Sequence, residues 1–218
     1  MKYRLLTGFT VLLICGFGIF GRIKLATYTN ITSDPSFVNE FSVAEIPTSI
    51  AITDCQALKE ILPEAPIILK VTPIGTPEFF FQGWQQKVRV EHVFSGEGLE
   101  SGSEIYLFAN SWEVHVVEKQ MDLSFVNFMK DGEDYLIFSS GSIGYTKDEV
   151  EVLQLRKNQF IAPIFNYEEP DDNIIYPVSG DSTYVPYKAV SGNEFFAVDS
   201  EGLEAFYELK EFLLQMYQ

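Results

Sequence analysis

Lys87-Val-Arg-Val-Glu-His-Val-Phe-Ser-Gly96 alternates apolar and charged residues, breaks phase once, and stops at a glycine. Val88 and Val90 fall on one side of an extended chain, and Lys87, Arg89 and Glu91 on the other. This is the period-2 pattern of a half-buried strand. Val93 is apolar where the alternation predicts a polar residue. One extra residue near Glu91 and His92 would restore the phase, so the spacing predicts a β-bulge there. The long strand that carries it, Phe79 to Phe94, sets the class as mainly β.

Working outward, Pro66 to Thr72 is a β-branched strand, and Gly75 to Glu78 turns the chain into the long strand. Downstream, Ser95 to Gly102 is a loop and Glu104 to Ala109 a strand, with a further short strand expected over Val114 to Lys119. Met129-Lys-Asp-Gly132 turns into a strand over Asp134 to Phe138. Val150 to Leu155 and Phe160 to Phe165 suggest a hairpin around Lys157 and Asn158. Before the long strand, Phe37 to Ile46 reads as a short strand. Thr53 and Asp54 then offer an N-cap to a helix of about two turns over Cys55 to Leu62, stopped by Pro63. Residues 166–193, rich in Pro, Asp and Gly, form a long surface excursion. The last helix, Ser200 to Met216, gathers Glu201, Glu204, Glu208, Glu211 and Gln215 on one face. Ala205, Phe206, Leu209, Phe212, Leu213 and Met216 form the other, an apolar side that must pack on the body of the fold or on a partner.

The order helix, strand, long strand ending Val-x-Val-x-x-Val-Phe-x-Gly, turn, strand, then Met-Lys-x-Gly-x-x-Tyr-Leu-Ile-Phe resembles netrin-like domains. These are OB-type β-barrels related to the tissue inhibitors of metalloproteinases, here in a diverged form of the kind found in exported bacterial proteins. Val88, Val90, Val93, Phe94 and Gly96 carry the first motif, and Gly132, Tyr135, Leu136 and Phe138 the second. The likeness runs from Thr53 to Ser140. It implies a barrel of about five strands with a groove of the sort such folds use for ligands. The inhibitors start their mature chain with a zinc-chelating cysteine and brace the barrel with disulfides. Cys55 is internal and stands alone beyond the leading segment, so inhibition does not carry over. The expected architecture is thus mainly β with a few helices. A netrin-like OB barrel occupies 37–166, and a surface excursion with a packing helix occupies 167–218.

Ahead of these lies Leu5 to Gly21, a run without a charge between Lys2/Arg4 and Arg22/Lys24. Its length sits where secretory h-regions (about 7–15 residues) and spanning helices (about 17–25) meet. Small-x-small occurs at Gly16-Phe-Gly18, inside the run; Lys24 occupies the −3 position for a cut at Ala26; Ile14 precedes Cys15 where a lipobox wants a small residue. Residues 1–24 are therefore read as an uncleaved signal anchor, N-terminus inside, with a cleaved signal peptide as the alternative. Residues 25–36 are a polar tether. The body is expected outside the cytoplasm, anchored to the membrane through residues 5–21 or secreted.

Beyond residue 24 the chain carries eleven basic groups against 31 acidic ones, a net −20. That surface repels phosphate backbones and anionic headgroups, which excludes nucleic acid as a partner. It serves solubility, or attracts cations and basic partners. With 19 Phe, 11 Tyr and 2 Trp the chain can fill a core without disulfides, and Cys55 reads as a small buried hydrophobe.

Few residues suggest chemistry. Glu91, His92, Glu113 and His115 could hold a metal only if their strands were adjacent in the right register, and they read as exposed polar positions. Glu168-Glu-Pro-Asp-Asp-Asn173 is a solvated acidic loop, or a calcium clasp without the usual ligand spacing. Gly141-Ser-Ile-Gly144 falls one residue short of a nucleophile elbow and reads as a turn. Neither a phosphate loop nor a dinucleotide fingerprint is present, and no cofactor is expected. Phe79, Phe80, Phe81 and Trp84 remain: consecutive strand residues face opposite sides, so part of this cluster lies under the 166–193 excursion or the final helix, or forms an aromatic recognition patch. The function expected is a membrane-tethered, extracytoplasmic binding module for a protein or envelope ligand, without catalysis. An exported hydrolase working through carboxylates, with or without a His-bound metal, and a structural accessory of a membrane complex are the alternatives.

Overall fold

Two bulges in one strand shape the barrel of this protein. The computed structural model describes residues 35–80, 83–109, 113–115, 118–155, 160–168, 173–177 and 183–218. A 3-10 turn (Pro35–Glu40) leads into β1 (Ser42–Ala44) and α1 (Thr48–Ile61). Then come β2 (Ile67–Pro73), β3 (Glu78–Phe80), β4 (Gly83–Ser95), β5 (Glu104–Ala109), β6 (Glu113–His115) and β7 (Gln120–Asp122). The remainder is β8 (Tyr135–Tyr145), β9 (Glu151–Leu155), β10 (Ile164–Asn166), β11 (Tyr184–Pro186), α2 (Tyr187–Val190) and α3 (Ser200–Met216).

Strands β2, β4, β5, β9 and β8 pair in that order, and β8 returns to β2, closing a five-stranded barrel. Every pairing around the ring is antiparallel except β5 with β9. This arrangement is consistent with an OB-like barrel. Val71 faces Val90, Lys70 faces His92 and Leu69 faces Val93, so Glu91 has no partner across the strand. That is the bulge the phase break predicts: it returns Val93 to the face of Val88 and Val90. A second shift, between Ile68 and Leu69, leaves Phe94 over. Bulges bend and twist a strand, which lets one 13-residue β4 wrap around the ring. Directly paired residues share a face, so Leu69, Val71, Val88, Val90, Ile105, Leu107, Ile137 and Leu153 fill the interior, and all are buried. Gly132, at φ +80°, lets the chain turn tightly into β8.

A second sheet, β11-β1-β7-β6, stands apart from the ring. Its first strand is shorter than the sequence suggests. Phe37, Val38 and Phe41 are buried at one-turn spacing, so the start of that stretch coils as a 3-10 turn and only Ser42–Ala44 is extended. Helix α1 also begins earlier than Thr53. The Thr53 hydroxyl donates back to the Ser49 carbonyl at 2.9 Å instead of capping, and the buried stripe Ala51, Cys55, Leu58 starts two residues before it. Pro47 occupies the N-cap position.

No hairpin joins β9 to β10. The 11-residue β8 pairs through Tyr135–Ile137 with β10 and through Ser139–Tyr145 with β9, and β9 uses its other edge on β5. Closing the ring leaves β9 with no edge for β10.

Helix α3 has the bounds its sequence predicts, and it packs chiefly against α1. Asp199 caps it, accepting from Gly202 N–H at 2.9 Å and from the Thr48 hydroxyl at 2.5 Å, which ties the two helix starts together. Leu203, Phe206, Leu209 and Leu213 are buried, and Phe206 stacks on Phe195 with ring centres 4.6 Å apart. The apolar face is narrower than expected: Phe212 and Met216 are exposed while Lys210 is buried. No described helix is long and apolar enough to cross a membrane; residues 1–34, with the expected anchor and most of the tether, lie outside the described residues.

Candidate functional site

The segment between β7 and β8 makes the floor of a polar cavity, which the start of β8, β10 and residues 192–194 complete. Ser124 and Phe125 both adopt positive φ, 53° and 61°, which is unusual for side chains of any size. The pair swings the chain against residues 193–196: Phe196 N–H donates to the Phe125 carbonyl and Asn127 N–H to the Glu194 carbonyl, each at 2.9 Å. Asn127 is then locked on every side. Its amide donates to the Ser191 and Asn193 carbonyls at 2.9 and 2.7 Å, and its oxygen accepts from Phe128 N–H and the Tyr187 hydroxyl.

The opposite wall comes from β8 and β10, which pair Tyr135 with Asn166. The Tyr135 hydroxyl accepts from Lys130 N–H at 2.9 Å and donates to Glu133 Oε2 at 3.0 Å. Asn166 Nδ2 donates to the same oxygen at 2.6 Å. Burial above all, reinforced by Glu133, pushes the Tyr135 hydroxyl well above its ordinary pKa, so it remains a donor. Glu194 closes the wall. One of its oxygens accepts from Asn166 N–H at 2.8 Å and the other from Lys210 Nζ at 2.6 Å, an ion pair whose side chains are 9% and 8% exposed. Burial raises the Glu194 pKa, and Lys210 opposes that rise. Lys210 also donates to the Glu168 carbonyl at 2.9 Å. The enclosed space is about 330 Å³.

In the sequence Tyr135 stood out only as part of a strand motif and Glu168 only as part of an acidic loop; Asn127, Glu133, Asn166, Glu194 and Lys210 did not stand out. The available signal was an amide set among large apolar residues, Val126-Asn-Phe128 and Phe165-Asn-Tyr167. An amide in such a run, if buried, must find partners.

The aromatic cluster is divided. Phe79 and Trp84 pair across β3 and β4 and are buried, meeting Phe128 edge-on at 5.4 and 5.5 Å. Phe37 of the 3-10 turn covers Phe79 at 5.0 Å, so this pair lies under that turn and Phe128. Phe80 is 43% exposed, and Phe81 lies outside the described residues.

His92 sits in an open groove on the outer barrel face, against Phe94 at 4.6 Å and beside Lys70, Arg89, Glu91 and Asp134. Charges there are matched: Lys70 with Asp134 at 2.9 Å and Arg89 with Glu91 at 2.7 Å, while the single Thr72 hydroxyl lies within reach of both carboxylates, 2.6 Å from Asp134 and 2.9 Å from Glu91. His115 belongs to β6 in the other sheet, so the structure does not bring it to His92. Among the described residues no group of three or more His, Cys, Asp or Glu is arranged to hold a metal ion. The Glu113 side chain and residues 169–172 of the acidic loop lie outside the described residues. Cys55 is buried, and burial pushes its thiol up to about 12, the state of an inert packing group. Neither a protein-family model nor a curated protein matches this chain.

Proposed function

We propose that this chain is an exported, membrane-tethered interaction module: a diverged netrin-like barrel of OB type that binds a protein or envelope ligand and performs no chemistry. The polar cavity carries this reading. Its side chains hold one another in fixed positions, and such a preorganised surface loses little freedom when a ligand arrives. A site rich in satisfied hydrogen bonds, with one wall carboxylate, Glu194, held in a buried ion pair, is suited to recognition. Export is supported by the uncharged run Leu5 to Gly21 and its basic flanks, and the Val-x-Val and Tyr-Leu-Ile-Phe motifs support the netrin-like likeness.

Two measurements test it. A reporter fused after Gln218 should be active outside the cytoplasm; activity only inside the cell removes the export half of the proposal. Cross-linking on intact cells, with mass spectrometry of what is captured, should return a discrete partner. A chain that captures nothing above background, or one that turns over a small substrate with saturable kinetics, removes the binding half.

A further inference from the structure

Donors and acceptors in the cavity wall are unequally used. Apart from the Lys130 ammonium, the side-chain donors are committed: Asn127 to two carbonyls, Asn166 to Glu133, Asn193 to the Ile174 carbonyl, Tyr135 to Glu133, and Lys210, outside the lining, to Glu194 and the Glu168 carbonyl. Acceptors remain open. Glu133 Oε1 accepts no hydrogen bond among the described residues, and its cation, Lys130 Nζ, stands 4.0 Å away, beyond hydrogen-bonding reach. The carboxylate of Glu168, exposed at the rim, likewise has no hydrogen-bond partner among the described residues. Glu133, Glu168 and Glu194 line this space with Lys130, and Lys210 matches Glu194 from outside the lining, which leaves one carboxylate in excess. A group entering it must therefore bring donors, and a positive charge gains most from them.

We infer that the cavity receives an ammonium or guanidinium group, set between Glu133 and the rim carboxylate of Glu168. The inference rests on the reading of this chain as a binding module and names the chemistry of what that module holds. About 330 Å³ accepts one amino-acid-sized group and not a folded surface. The two sources of such a group are a basic side chain on a protein partner and a free amine. The net charge of −20 beyond residue 24 draws either one toward the molecule before contact.

Calorimetry on the full chain in detergent micelles tests this with three probes: the blocked peptide acetyl-Ala-Arg-Ala-amide, its Ala-Gln-Ala counterpart, and agmatine. The arginine peptide should bind saturably and the glutamine peptide should not. If agmatine binds as well as the peptide, the source is a free amine; if the peptide binds more tightly, it is a basic protein segment. Glu133→Gln keeps an acceptor for Tyr135 and Asn166 but removes the charge, and should weaken the arginine peptide roughly tenfold or more. Glu208→Gln, at a surface pair with Lys59, should change nothing. Glu168→Gln, at the exposed rim, serves if the first variant fails to fold. Equal heats for the arginine and glutamine peptides overturn the inference, as does unchanged binding in a folded rim or wall variant. A partner captured on cells regardless of Glu133 overturns it too but leaves the binding module standing; amine binding with no captured partner does the reverse.

Discussion

Glu45 is 2% exposed, and one oxygen of its carboxyl has no hydrogen-bond partner among the described residues. Burial raises its pKa from 4.5 to about 7. Between those values the folded chain holds a proton that the unfolded chain has released. The stability contributed by this group is therefore fullest below pH 4.5, falls as pH rises, and is gone above about 7. Glu45→Gln should flatten that decline, read as the difference in urea midpoint between pH 5 and pH 8; equal differences in the two proteins would contradict it. Lys210 presents the complementary case. Replaced by Met, it leaves Glu194 buried without its cation, which costs about 3–5 kcal/mol. The double variant Glu194→Gln/Lys210→Met should recover most of that in denaturant unfolding. A single variant as stable as the double would mean the pair is not buried as described.

Among the elements, β4 holds the fold's least obvious decision. Its bulge places Lys70 opposite His92 and leaves Glu91 out of the ladder. Cysteines at 70 and 92 should oxidise to a disulfide, because directly opposed residues bring their Cα atoms within about 4.4–6.8 Å. Cysteines at 70 and 91 should not. Mobility on a non-reducing gel decides, and efficient cross-linking of the second pair would place the bulge elsewhere. The same register explains why this face reads as polar in sequence yet presents little free charge: Lys70 and Arg89 stand on it beside Asp134 and Glu91. The β8 strand shows a different economy. Tyr135 through Ser139 are all buried, because this half lies in the ring and also carries β10.

At the scale of the whole molecule, what could be read from the chain alone is what depends on neighbours in sequence. The alternation around Val88 and Val90, the phase slip at Glu91, the turn at Gly132 and the apolar face of Ser200–Met216 each reflect a local period that the backbone geometry turns directly into strand, bulge, turn or helix. Local signals misled where two readings compete nearby: Thr53 suits a cap but bonds back to Ser49, and Phe37 to Phe41 has strand-like composition with helical spacing. The pairing of β9 with β5, the burial of Phe79 and Trp84 under Phe37 and Phe128, and the cavity were not legible. The cavity joins residues near 127, 133, 166 and 194, and its charge balance depends on Lys210 reaching Glu194 from a helix. Sequence by itself determined the strand periods, the acidic body and the uncharged leading run, since each is a property of consecutive residues. Only the tertiary structure decided which edges meet, which aromatics are covered and which carboxylates keep an open oxygen. Those outcomes follow from closing a ring: once β8 and β9 pair, the remaining edges and polar groups meet partners, where they have them, across long stretches of chain.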